Sequence, residues 1–169
     1  MRRRIALIST GGTIEKTYDE LSGVLANHVS VLDVMLASLE LRGVDVHRMQ
    51  LMNKDSLEMS PDDHSLIAET AGRLAREFAG VVVVHGTDRL ADSGHCVLDL
   101  GPPASPIVFT GAMRPYELRS TDALQNLTEA LLAVQLLPAG VYVAMHNQVL
   151  RFPGVVKDRA LGTFVKGPA

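Results

Sequence analysis

The chain has no tryptophan and only four phenylalanines and three tyrosines, so aliphatic side chains must fill its core. It has a single cysteine, Cys96, which excludes an internal disulfide and suits a reducing compartment. No apolar run approaches the roughly 20 residues of a membrane span. The Arg2-Arg3-Arg4 start followed by Ile5-Ala6-Leu7-Ile8 is too short an apolar stretch for a signal peptide. A cytoplasmic domain without a membrane partner is the expectation. Neither sign of charge dominates, the formal net being −3, which argues against nucleic acid as a partner. The arginines at the start read as a solvated end. There is no GxGxxG, no GK[ST] and no metal-ligand spacing among the six histidines, so neither a cofactor nor a metal is expected.

What is present is a run of four valines, Val81 to Val84, followed by His85-Gly86-Thr87-Asp88. β-Branching and brevity make the valines a strand buried on both faces of a parallel sheet, and Gly86 breaks it. Thr87 and Asp88 then fall on the loop at the strand's carboxyl end, where open α/β sheets bind ligands. Leu90 to Leu100 reads as the following helix. Around this unit the alternation repeats. Arg4 to Ser9 is a strand ending in Thr10-Gly11-Gly12-Thr13-Ile14, a loop whose glycines let backbone amides approach an anion or oxyanion. Glu15 to Asn27 reads as a loop or hairpin able to cover the site, and Ser30 to Leu41 as an amphipathic helix. Val44 to Leu51, with charged alternate residues, suits a strand nearer the sheet edge.

Ser60-Pro61-Asp62-Asp63 has a capping hydroxyl, proline at the first helical position and acids in the first turn, and predicts a helix to about Phe78. Ile107 to Phe109 is the fourth strand, Ser120 to Leu137 a helix, Val141 to Met145 the fifth strand, and His146 to Lys157 a polar loop. At 169 residues the chain is one α/β domain. Its expected form is three layers, a parallel sheet with a mixed edge and helices on both faces. Every hydroxyl-rich or Gly-rich loop follows a strand, which gathers Thr13, Ser56, Thr87, Asp88, Ala112 and Lys157 on one rim. His95-Cys96 is not a catalytic pair, because adjacent helical residues do not face each other. His85 is expected to shape the Thr87 loop, and Arg114 and Arg119 to act in ion pairs.

Thr10-Gly11-Gly12-Thr13-Ile14 together with His85-Gly86-Thr87-Asp88 resembles the paired signature of bacterial-type L-asparaginases. The similarity continues through Asp55-Ser56-Leu57-Glu58-Met59-Ser60-Pro61, Thr110-Gly111-Ala112-Met113-Arg114-Pro115 and Glu117-Leu118-Arg119-Ser120, and Lys157 stands where the family carries its catalytic lysine. The resemblance implies that Thr13 attacks the side-chain amide carbon of L-asparagine to form an acyl-enzyme. It also implies that Thr87, Lys157 and Asp88 activate a nucleophile or the deacylating water. Ser56, beside Asp55, matches the residue binding the substrate α-carboxylate, Asp88 the one pairing with the α-ammonium, and the Ala112 carbonyl the acceptor of the leaving amide. Gly12, Thr13 and the Gly86 loop would donate amides to the oxyanion. Tyr18, in the covering loop, is the candidate for bonding the Thr13 hydroxyl.

Two departures from the family accompany this. The chain, residues 1–169, resembles the catalytic N-terminal domain alone, so an acid from a neighbouring protomer's C-terminal domain is not expected at the α-ammonium. Tyr18 also lies closer to Thr13 than the family's mobile-loop tyrosine does. The family implies a homodimer or homotetramer. Alternative readings are the glutaminase-type subunit of a tRNA-dependent amidotransferase and a non-catalytic amino-acid-binding module.

Overall fold

The computed structural model describes residues 2–167. Six strands form its centre: β1 (Arg3–Gly11), β4 (Val44–Lys54), β5 (Gly80–Val84), β6 (Pro106–Thr110), β7 (Gly140–Met145) and β8 (Gln148–Arg151). They make one sheet, ordered β4-β1-β5-β6-β7-β8. All neighbours are parallel except β7 and β8. The expected mixed-edge α/β sheet is thus the observed one.

Strand pleating divides the core in two. Ala6, Ile8, Val81, Val83, Ile107 and Phe109 face helices α2 (Pro61–Glu77) and α3 (Leu90–Asp99). Ile5, Leu7, Val82, Val84 and Val108 face α1 (Leu32–Ala37) and α4 (Ala123–Leu136). β5 is buried along its whole length, which is why its sequence shows no alternation. α2 begins as its sequence predicts. The Ser60 hydroxyl accepts from the Asp63 amide and the Asp63 carboxylate accepts from the Ser60 amide, so two otherwise orphaned donors are satisfied.

Several expectations are corrected. The helix read over Ser30 to Leu41 shrinks to the six residues of α1, since Val34 faces solvent and Gly43 and the start of β4 follow closely. The helix read from Ser120 starts at Ala123, because Asp122 is drawn inward to bond other loops. The segment His146 to Lys157 is not a loop. It holds β8, paired back on β7, and most of β9 (Val155–Asp158), which forms a hairpin with β10 (Thr163–Lys166). The N-terminal arginines are exposed, as a solvated end is expected to be, while Arg3 opens β1 and bonds the Gln135 carbonyl and Arg4 lies 4.9 Å from the Phe78 ring centroid. Glu15 to Asn27 contains the hairpin of β2 (Thr17–Asp19) and β3 (Val24–Ala26). Among the described residues no helix is long and apolar enough to cross a membrane.

Candidate active site

The loops leaving β4, β1, β5 and β6 lie side by side because their strands do. Gly12, at φ 81°, starts a single 3-10 turn, Thr13–Glu15. A Cβ on Gly12 would stand 2.5 Å from the Cα and amide nitrogen of Gly86, so the first and third loops touch backbone to backbone and only glycine permits it. On the other side of Gly86 a Cβ would meet the Ser56 hydroxyl at 2.6 Å. Thr13, Gly86 and Ser56 are thereby brought together. Ser56 is buried, with its hydroxyl 3.4 Å from the Arg89 amide. Asp55 caps the turn Ser56–Glu58 and pairs with Lys16 at 2.6 Å. Burial pushes the Asp55 carboxyl up, but the bonds from Lys16 and the Leu57 amide outweigh it and hold it below the usual carboxylate value. The Thr13 side chain is partly exposed, and its hydroxyl makes no hydrogen bond among the described residues.

Lys157 reaches the same rim from β9. Its ammonium donates to the Thr87 hydroxyl at 2.8 Å and to Asp88 Oδ1 at 2.9 Å. The Thr87 hydroxyl lies 3.7 Å from Met113 Sδ of the β6 loop, next to the buried Ala112. Asp88 Oδ1 also pairs with Arg159 at 3.1 Å, a contact no sequence motif announced. Tyr18 is not gathered in: it stands on β2, 58% exposed, and its phenol makes no hydrogen bond among the described residues. Arg114 and Arg119 form no ion pair among the described residues, unlike the ion-pair role read from sequence. Between the β2–β3 hairpin and the Ser56 turn lies a cleft of about 280 Å³ lined by Lys16, Asn27, Asn53 and Asp55. A larger cavity, about 400 Å³, opens at the opposite rim beside Arg73 and the Gly101–Ala104 loop, away from these groups. Among the described residues no three or more His, Cys, Asp or Glu are arranged to hold a metal.

Beneath the Thr87 loop runs a buried chain. His85 Nδ1 lies 2.8 Å from the Gly86 carbonyl, which only accepts, so this nitrogen carries the proton. His85 Nε2 then accepts from the Ser93 hydroxyl at 2.8 Å, and Ser93 accepts from His64 Nδ1 at 2.7 Å. The unpartnered, buried His64 Nε2 is the lone-pair nitrogen this tautomer leaves over. Burial pushes the His85 pKa down to about 4, so the ring is neutral and holds the loop rather than titrating. Glu15, also buried, accepts from the Gly11 amide at 3.1 Å and so braces the glycine turn from behind. Its burial raises its pKa despite that bond and one from Ser30.

Residues 4–163 match the family described as "Asparaginase, N-terminal". The chain belongs to the asparaginase family. It is 30% identical over 162 residues to the L-asparaginase of Thermococcus kodakarensis, an alignment covering 94% of this chain and 49% of that protein. The structure of that enzyme superimposes with a TM-score of 0.85 over 96% of this chain and 51% of the other, at 29% identity. A probable cytoplasmic L-asparaginase from Campylobacter jejuni gives 0.79 at 29% identity over 98% and 52%. A glutamyl-tRNA(Gln) amidotransferase subunit from Haloquadratum walsbyi is 34% identical over 144 residues, 84% of this chain and 33% of that protein. The chain thus spans between a third and half the length of these relatives.

Proposed function

We propose that this domain hydrolyses the side-chain amide of L-asparagine to L-aspartate and ammonia. The observation that carries the reading is the Lys157 ammonium within 2.9 Å of both the Thr87 hydroxyl and the Asp88 carboxylate, on the rim where Thr13 presents a hydroxyl with no hydrogen-bond partner among the described residues. Thr13 Oγ adds to the amide carbon as its proton passes to solvent, and the carbonyl oxygen becomes an oxyanion facing the backbone amides of Thr13 and the Gly86 loop; the Gly12 amide, expected from sequence to join them, already donates to the Lys54 carbonyl at 2.8 Å. A donor of this kind contributes about 3 to 4 kcal/mol to the transition state. The C–N bond then breaks, the nitrogen takes up from solvent a proton that balances the one Thr13 released and departs as ammonia past the Ala112 carbonyl, and an ester to Thr13 remains. Water, relieved of a proton through Thr87 and Lys157, opens the ester and restores Thr13. Lys157 must first lose its own proton to solvent before it accepts one. Ser56 receives the substrate α-carboxylate beside Asp55, and Asp88 faces the α-ammonium. Tyr18 bonds Thr13 once the β2–β3 hairpin closes. The domain is cytoplasmic and works as a homodimer or homotetramer.

Ammonia release from L-asparagine and L-glutamine by the purified chain tests the reading. Turnover supports it, and aspartate binding without turnover replaces it with an amino-acid-binding module. The 34% identity to an amidotransferase subunit favours one further possibility, the same hydrolysis delivering ammonia to a partner protein. Turnover that rises on adding such a partner would identify that case.

A further inference from the structure

The Met145-His146-Asn147-Gln148 turn joins β7 to β8, and both central residues have positive φ, 57° and 59°. Two such residues make the tight turn whose twist suits a hairpin, and glycine is the residue that usually supplies them. Here a histidine takes the first position, in a backbone region that side chains other than asparagine, aspartate and histidine rarely enter. Both of its ring nitrogens are engaged. Nε2 lies 2.7 Å from Asp122 Oδ2 and Nδ1 3.0 Å from the Thr163 hydroxyl.

These two partners belong to opposite halves of the site. Asp122 is buried and gathers the β6 loop, accepting from the Met113 amide at 2.9 Å, the Arg114 amide at 3.0 Å and the Asn126 amide group at 2.9 Å. Asn126 in turn donates to the Gly111 carbonyl at 2.9 Å and accepts from the His146 amide at 3.1 Å. The loop so held is the one that presents Ala112. Burial pushes the Asp122 carboxyl up, but the bonds from Met113, His146 and Arg114 prevail and keep it ionised. An ionised carboxylate only accepts, so His146 Nε2 carries the proton. Nδ1 meets the Thr163 hydroxyl, whose oxygen also accepts from Gln148 at 3.1 Å. Thr163 sits on β10 directly across from Asp158, one residue along from Lys157.

We propose that His146 is a positioning residue that clamps the Lys157-bearing β9–β10 hairpin to the Ala112 loop, and so sets the place of Lys157 against Thr87. For its effect on turnover the inference rests on the hydrolase reading; the clamp itself does not. His146 touches no reacting atom. The hairpin is anchored to the core independently by the buried Phe164, so loss of the imidazole loosens the registration of the hairpin without unfolding it. Ser56 is held by Arg89 and Gly86, outside this network, so the α-carboxylate contact is kept and the effect falls mainly on kcat.

The test compares His146→Ala, His146→Gln, Thr163→Val and the double variant His146→Ala/Thr163→Val. Hydrogen exchange at the Met113 and Arg114 amides and along β9–β10 should accelerate at least about tenfold in His146→Ala, on the scale of local opening. Glutamine, which keeps one donor and one acceptor, should restore most of the protection. In ammonia release, kcat should fall about 10- to 100-fold with KM within about threefold, and the double variant should lose no more than His146→Ala alone. Unchanged exchange in His146→Ala, a loss confined to KM, or additive losses in the double variant would overturn the clamp. If the unaltered chain releases no ammonia, the hydrolase reading fails while the exchange data still decide on the clamp.

Discussion

At the scale of single residues, the two threonines differ in how they are held. Thr87 is buried and already bonded to Lys157, whereas Thr13 is partly exposed and open to an incoming carbonyl. Thr13→Ala and Thr87→Ala should each lower ammonia release by at least about a thousandfold while circular dichroism and thermal melting stay near those of the unaltered chain. Near-normal activity in both would remove the threonine mechanism. Gly12→Ala should fail differently. Its new methyl meets the Gly86 backbone and its φ is left-handed, so about 3 kcal/mol or more of stability should be lost in denaturant unfolding. Both threonines could be picked out of the sequence because each sits in a short motif after a strand. Arg159 and His146 could not: neither belongs to a motif, and each meets its partner only through the folded hairpins.

At the scale of elements, the helix with the clearest start signal behaves as its sequence says. Ser60→Ala removes the hydroxyl that accepts from Asp63 at the head of α2 and should destabilise the domain by about 1 kcal/mol, measured as a lower denaturant midpoint at unchanged slope. Because α2 packs against the sheet face away from the Thr13 loop, kcat should stay within about twofold. The buried strands were legible because a fully covered strand needs an unbroken β-branched run. The strands β8, β9 and β10 were not, because four-residue edge strands with exposed alternate positions carry too little apolar periodicity to be told from a polar loop. Their pairing is supplied by what they lie against, β7 and one another.

At the scale of the whole molecule, buried titratable groups set how stability depends on pH. His85 cannot take its proton in the folded state until about pH 4, whereas unfolded it does so near 6.5. Between those values the unfolded chain binds more protons, so stability is intact above 6.5 and falls as the pH drops towards 4, by about 3 kcal/mol in total from this ring. His64, lowered by burial and by Arg89, acts in the same direction. Glu15 acts in the opposite one. Its raised pKa means the folded state holds that proton more tightly, so its ionisation costs stability as the pH rises from 4.5. His85→Asn, which keeps a donor for the Gly86 carbonyl, should therefore be less stable at pH 7 yet show a flatter decline between pH 6.5 and 4 in chemical unfolding. A slope as steep as that of the unaltered chain would mean that His85 is not the group responsible.

Local chemistry in the chain determined the alternation of strands and helices, the burial of Val81 to Val84, the start of α2 and the placing of Thr13, Ser56, Thr87 and Asp88 on loops after strands. Each of those depends on residues close together in sequence, whose backbone preferences and apolar spacing act over one element. Strand order, the reach of Lys157 to Thr87, the second cation on Asp88 and the His146 clamp were decided by tertiary structure alone. They join residues as far apart as Thr87 and Lys157, and no short-range preference encodes a contact made only when the sheet, its antiparallel edge and the final hairpin have closed on one rim.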